Sequence, residues 1–456
     1  MLRDLPEEIL ILVFDLLIER GNPIIDQLDN LKHISNARLV CRLWNTLATE
    51  HMFKTVRLMF TDGEYKAWNE MLDSEVIKQT ARGVYIHPAS ADDHPDDIWN
   101  AYSECHYDNL IRAISRITEL DHITALHLRF SRHCVGANYQ SLRDEVVEDI
   151  RKRQEILEAV FQAIQRRSNG SNGESPIRSL TIQNLQNAPF SQFTRSELFQ
   201  DVTRDIDALH LMVADELDED GSVEDMDGIE RRTFESFLHH QWLVPLSNHL
   251  VSLTLSFRSP WGTIPGYFDG RGLHFPRLRT LTLGNFVIGH HDQFDWILNQ
   301  SSLVSLCLDN CSILSYMTTF GESLEELHVQ AHDWVQYPSS SFGIDDNVAI
   351  YGFSGTWEVV FDNIRTSLRE LRTFRFHYYR DSEFPVVPEM QSSYLDNTRY
   401  ALYGYYGWNH ADGRKDLVVS CCQSIHPDAV NRSEETEEGD GRALEALVQE
   451  VRKRVD

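Results

Sequence analysis

Apolar residues recur at helical spacing through the first fifty residues of the chain. One stripe comprises Leu5, Ile9, Leu10, Val13, Phe14 and Leu17. A second stripe follows at Leu39, Val40, Leu43, Trp44 and Leu47. Two or three helices this short cannot bury so much apolar surface among themselves, because a segment of this size has too little interior. We therefore predict a helical module over residues 1–50 whose remaining apolar surface docks on another body.

A shorter pattern recurs from Phe53 onward: an apolar residue, two others, an apolar residue, one other, and a third apolar residue. Copies begin at Phe53, Ile123, Ile177, Ile206, Leu250, Leu278, Leu303, Leu324 and Leu371. The last two apolar residues of each copy would share one face of a strand, since side chains alternate along a strand. Helical stretches such as Glu145–Arg167 and Trp357–Ser367 lie between copies, which favours parallel strands joined by crossover helices.

These patterns predict an α/β fold in three parts. The helical module over residues 1–50 is followed by an irregular α/β solenoid with a parallel sheet over residues 51–430, and by an acidic linker with a carboxy-terminal helix over residues 431–456. Copies between Leu250 and Leu324 are spaced by 28, 25 and 21 residues, in or near the period of leucine-rich repeats. An ordinary α/β domain with several buried strands is the alternative.

The helical module resembles the F-box, the adaptor-binding module of cullin-based ubiquitin ligases. The resemblance rests on residues 5–10, Leu-Pro-Glu-Glu-Ile-Leu, together with residues 40–44, Val-Cys-Arg-Leu-Trp. The connector Arg20–Ile34 is longer than the usual F-box spacing. The pattern over Phe53–Val419 resembles the leucine-rich-repeat-like region of fungal F-box proteins. A helical cap on a larger core is the alternative for the first segment.

The resemblance implies a substrate-recognition subunit of a cullin-type (SCF) ubiquitin ligase, which is not itself an enzyme. The module would dock on a Skp-type adaptor and, through it, on the cullin and RING subunits, while the repeat region binds a target protein. A Skp-bound scaffold that does not direct ubiquitination is the alternative. The residues that the resemblance assigns to adaptor contact, although some of them must instead form the module's own small core, are Leu5, Pro6, Ile9, Leu10, Val13, Phe14, Leu17, Leu39, Val40 and Trp44.

Strand alternation also predicts which side chains of the repeat region face a target. They lie between, or directly after, the two inward apolar residues of a copy. Five copies contribute such a pair: Thr181 and Gln183, Thr254 and Ser256, Cys307 and Asp309, His328 and Gln330, Arg375 and His377.

The charge balance narrows the choice of partners. Forty-two basic and seventy acidic residues give a net charge of −28, which argues against binding nucleic acid or anionic membranes through bulk electrostatics. The seven cysteines show no disulfide framework, and we find no signal-peptide or anchor pattern. We therefore expect reduced thiols and a cytoplasmic or nuclear location.

Candidate chemistry is sparse. The segment Glu216–Asp227 approximates the oxygen spacing of a calcium loop, but it begins with Glu and follows a predicted strand rather than a helix, which favours a solvated acidic loop. His239-His240 and His290-His291 are adjacent pairs, and neighbouring side chains make poor joint metal ligands. Phosphate-loop, nucleophile-elbow and zinc-protease motifs do not occur. We expect no catalytic residue, cofactor or metal.

Overall fold

The structure is a computed structural model, and it describes residues 6–18, 33–59, 62–88, 104–136, 148–169, 175–217, 229–320, 323–338, 348–378, 393–404, 407–410 and 432–455. Most of the predicted connector Arg20–Ile34 and of the calcium-like loop Glu216–Asp227 therefore lies outside the described residues. The chain contacts define two units, residues 1–131, 151–183 and 382–391, and residues 132–150, 184–381 and 392–456. The domain boundaries predicted from the sequence stay predictions.

The helices follow the apolar stripes of the sequence. They are α1 (Glu7–Ile18), α2 (33–37), α3 (Arg42–Met52), α4 (Asp62–Leu72), α5 (Glu75–Thr80), α6 (Glu104–Ser115), α7 (Ile150–Ser168), α8 (Ser191–Thr194), α9 (Glu197–Thr203), α10 (Ile229–Phe237), α11 (Val244–Leu246), α12 (Asp295–Leu298), α13 (Trp357–Ser367) and α14 (Arg432–Lys453). Short 3₁₀ turns span Arg116–Glu119 and Asn397–Arg399, and a π-helical segment spans Leu238–Leu243.

The strands alternate with these helices. They are β1 (Thr55–Met59), β2 (Gly83–His87), β3 (Ala125–Arg129), β4 (Cys134–Val135), β5 (Ser179–Gln186), β6 (Ala208–Ala214), β7 (Glu216–Leu217), β8 (Ser252–Trp261), β9 (Thr280–Ile288), β10 (Ser305–Asp309), β11 (Ser312–Phe320), β12 (Val335–Tyr337), β13 (Val348–Gly352), β14 (Thr373–His377), β15 (Tyr400–Gly404) and β16 (Gly407–His410). The fold is thus mixed α/β, with amino-terminal helices and extensive, mostly parallel sheet structure.

In the first unit, β1, β2, β3 and β5 pair in parallel in that order. The apolar positions of the sequence pattern align across the strands, so that Val56, Val84, Leu126 and Leu180 are neighbours and all are buried. Alignment of equivalent positions means that each strand buries the same face as its neighbour. This confirms the parallel strands that the pattern predicts.

In the second unit, β6, β8, β9, β10 and β14 pair in parallel with one another in that order. Leu209, Leu253, Leu281, Leu306 and Phe374 form one register row. The strand β11 pairs in parallel with β9 and β15, whereas β13 with β11, β12 with β13 and β16 with β15 are antiparallel. The two-residue strands β4 and β7 form a separate parallel pair.

One predicted copy of the strand pattern is wrong. Residues 324–328 form turns, and Leu324, Leu327 and Val329 pack against a buried cluster that includes Met317. The spacing of apolar residues records which side chains are buried, and a turn that lies on a core buries them as well as a strand does. The predicted target-facing pair His328 and Gln330 therefore lies on a turn segment rather than on a sheet face.

The acidic segment predicted as a linker is helical, which corrects the sequence prediction. It forms the first half of α14, where Glu434 and Glu435 lie in the first turn and complement the helix dipole. Asp440 of this helix is fully buried and pairs with Arg399 at 2.9 Å, and it also accepts a hydrogen bond from the backbone N–H of Glu358 at 2.9 Å. Buried contacts of this kind anchor α14 to α13. Within the described ranges, no helix combines the length and apolar composition needed to cross a membrane.

Candidate functional site

The amino-terminal helices close a small core of their own. Leu10 and Phe14 of α1 are buried with Ile34, Leu47 and Ala48. The Phe14 ring meets the Trp44 ring edge-on, at 5.6 Å between centroids, and Trp44 lines the cluster while staying partly exposed. The backbone N–H groups of Ile9 and Leu10 donate to the carbonyl of Pro6, so the helix begins directly after that proline.

Among the described residues of this amino-terminal segment, six large apolar side chains remain exposed to water. Their exposed fractions run from 39% to 84%, and they are Ile9, Leu12, Val13, Leu39, Val40 and Leu43. The first three lie at positions i, i+3 and i+4 of α1 and therefore share one helix face. The other three lie in the turn before α3 and in its first turn. We call these six residues the amino-terminal apolar surface.

A hydrogen-bond network holds the turn that presents Leu39 and Val40. The backbone N–H of Val40 donates to the carbonyl of Ala37 at 3.1 Å, and the Arg38 guanidinium donates to the side chain of Asn45 at 3.3 Å. The turn that carries this exposed apolar pair is therefore held by its own hydrogen bonds.

The structure divides the ten predicted adaptor residues into groups. Ile9, Val13, Leu39 and Val40 belong to the apolar surface, and Pro6 is exposed beside them in the chain. Leu10 and Phe14 lie in the core, so they support the surface and do not form it; Trp44 does both, because it is half-buried. Leu5 and the side chain of Leu17 lie outside the described residues.

The sequence analysis missed two members of the surface. Leu12 follows Ile9 by three positions and Leu43 follows Leu39 by four, so helical spacing alone could have placed each beside a predicted residue. Both are exposed, with fractions of 56% and 42%.

Most of the predicted target-facing side chains are not exposed. Gln183, Thr254, Cys307, Asp309 and His377 are buried, each with at most 9% of its surface exposed. Thr181, Ser256 and Arg375 are half-buried, while His328 and Gln330 are exposed. Strand alternation correctly puts the strand residues on one face, but it does not predict how far other parts of the chain cover that face.

Burial shifts the pKa values of the polar residues on this face in the direction that favours their uncharged forms. Asp309 and His377 face each other at 3.4 Å, and burial raises the pKa of Asp309 to about 7 and lowers the pKa of His377. Burial also raises the pKa of the neighbouring Cys307 thiol to about 12. A thiol with so high a pKa is a poor nucleophile at neutral pH, so this row is a packing feature rather than a reactive site.

Comparison with known proteins identifies the amino-terminal part. Residues 2–58 match the F-box-like family model. That range contains the closed core, the amino-terminal apolar surface and all of β1 except Met59. No curated protein matches the chain.

Proposed function

We propose that the chain is a substrate-recognition subunit of an SCF-type ubiquitin ligase. One observation carries the proposal: the F-box-like region leaves six large apolar side chains in water above a core that is already closed. Exposed large apolar side chains concentrated in so short a segment are typical of a protein interface. F-box modules bind Skp-type adaptors, so we assign the amino-terminal apolar surface to that adaptor.

The rest of the chain would present the target. Equivalent apolar positions stay in register along two rows of parallel strands, which supports an irregular leucine-rich-repeat-like body. We propose that target contacts use the side chains that reach water: His328 and Gln330, with Thr181, Ser256 and Arg375 at the margin. Such a subunit contributes proximity and orientation, while the chemistry belongs to other subunits of the ligase. We propose a cytoplasmic or nuclear location.

Replacing both Leu39 and Val40 by Asp is expected to weaken binding of a purified Skp-type adaptor at least tenfold. The two substitutions put carboxylates into an apolar interface, where neither would find a partner. They should not unfold the module, because the side chains are 84% and 55% exposed. Isothermal titration calorimetry with the full-length chain measures the affinity, and circular dichroism checks the fold.

The matched control is Val76→Asp on α5, since Val76 is 60% exposed in the same unit but outside the F-box-like range. This variant should bind the adaptor as the unmodified chain does. Undiminished binding by the double variant, or equal loss in the Val76 control, would contradict the assignment of the surface.

A Skp-bound scaffold would pass the same binding test. Two further experiments distinguish the two functions. A ligase subunit is recovered in one complex with cullin and RING subunits, and its removal lengthens the lifetime of a bound partner. A scaffold leaves that lifetime unchanged.

A further inference from the structure

Two segments that are far apart in the chain meet beyond the end of β9. Gly289, His290 and His291 follow that strand, and Asp333 and Trp334 precede β12. The Trp334 indole N–H donates to the Gly289 carbonyl at 2.6 Å, and the His291 backbone N–H donates to Asp333 Oδ2 at 2.9 Å. His290 Nδ1 lies 2.5 Å from Asp333 Oδ1. The segments are therefore held in one arrangement by at least three polar contacts.

This junction concentrates atoms that can bind a metal. His290, His332 and Asp333 each offer a ligand atom, and these atoms lie within 4.8 Å of one another. Asp292 adds a second carboxylate, with its Oδ1 at 4.0 Å from His332 Nε2. Two imidazoles and two carboxylates form a donor set that suits Zn²⁺ and related divalent transition metals.

One carboxylate oxygen of this cluster is buried without a partner. Oδ1 of Asp292 has no hydrogen-bond partner among the described residues, although the Asp292 side chain as a whole is 45% exposed. The His290 side chain is completely buried. A buried polar atom that lacks a partner destabilises the folded chain, so such an atom calls for a ligand, an ion or a water molecule.

Coordination by both histidines requires one local movement. The His332 ring stacks on the His290 ring at 4.4 Å and 7°, and parallel rings do not aim their lone pairs at one point. The His332 side chain is 55% exposed and can turn. The cost of turning one exposed side chain is small beside the free energy that metal coordination supplies at a structural zinc site.

We propose that His290, His332 and Asp333, together with Asp292, bind a divalent transition-metal ion such as Zn²⁺. The ion would clamp the segment after β9 to the segment before β12. The site is independent of the proposed adaptor binding, since all of its residues lie in the second unit.

Titration of the full-length chain with Zn²⁺, against a competing chromophoric chelator, tests the proposal. We expect one equivalent of bound ion and a higher melting temperature with Zn²⁺. His332→Ala should lower the affinity for this Zn²⁺ ion at least tenfold, and Asp333→Asn should lower the affinity by a similar factor. Because His332 is largely exposed, its variant is not expected to unfold. Co²⁺ should give a visible absorption spectrum that His332→Ala loses.

The matched control is His328→Ala, which removes an exposed histidine four residues earlier and outside the cluster. This variant should still bind one Zn²⁺ ion tightly and should keep the Co²⁺ absorption spectrum. Zn²⁺ binding that is equally tight in the His332 variant, or a chain that takes up no stoichiometric ion, would overturn the proposal and leave a stacked His–Trp contact.

Discussion

Phe14→Ala is expected to unfold the amino-terminal helices and to abolish adaptor binding in the same step. Phe14 is 1% exposed and packs against Leu10 and Trp44 in the small core. Truncation of a buried Phe costs about 3–5 kcal/mol, and a core of this size has little stability to spare. Hydrogen exchange of the α3 amides in the full-length chain should lose protection, while adaptor binding falls below detection.

Leu12→Ala on the same helix is the matched control. Leu12 is 56% exposed, so its truncation should leave the protection of α3 intact and change only the affinity for the adaptor. Full protection in the Phe14 variant would mean that the helices do not depend on the core described here.

The apolar stripe alone could not predict which of its residues are buried in the small core and which are exposed on the surface. Ile9, Leu10, Val13 and Phe14 are adjacent in helical projection, and the stripe is wider than the face that one small core can cover. The position of α3 decides that Leu10 and Phe14 face inward. Sequence reasoning therefore predicted that the apolar residues divide between a small core and a docking surface, but not which residues go to each.

The parallel strands of the body were predictable because they depend on local periodicity. The aligned row from Leu209 to Phe374 repeats a pattern that each strand shows by itself. The proposed metal site was not predictable, because His290 and Asp333 are 43 residues apart and meet only in the folded chain. From the sequence, His290 could be weighed only with its neighbour His291, whose Nε2 lies 3.2 Å from the hydroxyl oxygen of Ser354.

The second unit also buries a carboxyl group that no described residue neutralises by an ion pair. Glu235 of α10 is 3% exposed, its Oε2 has no hydrogen-bond partner among the described residues, and it lies directly against the backbone of Gly266. Burial, with a smaller contribution from the nearby Asp215, raises the pKa of Glu235 from 4.5 to about 8. Asp215 itself is buried and has a raised pKa, although the backbone N–H of Ser259 donates to it.

Glu235→Gln is expected to raise the free energy of unfolding at alkaline pH by about 4–5 kcal/mol. The folded chain holds the Glu235 proton up to about pH 8, whereas the unfolded chain releases it near pH 4.5. Stability therefore falls as the pH rises between these values, at about 1.4 kcal/mol per pKa unit. Gln has the shape of the protonated acid and cannot ionise, so the variant lacks this fall.

Urea denaturation of both chains at pH 5, 7 and 9 measures the effect as a difference at each pH. Near pH 5 the two free energies should be close, and they should separate progressively up to pH 9. Glu325→Gln is the matched control, because Glu325 is exposed on a turn and its substitution should leave the profile of the unmodified chain. A Glu235 variant that keeps the same decline would mean that the fold tolerates the ionised carboxylate, and that the pH dependence arises at other groups.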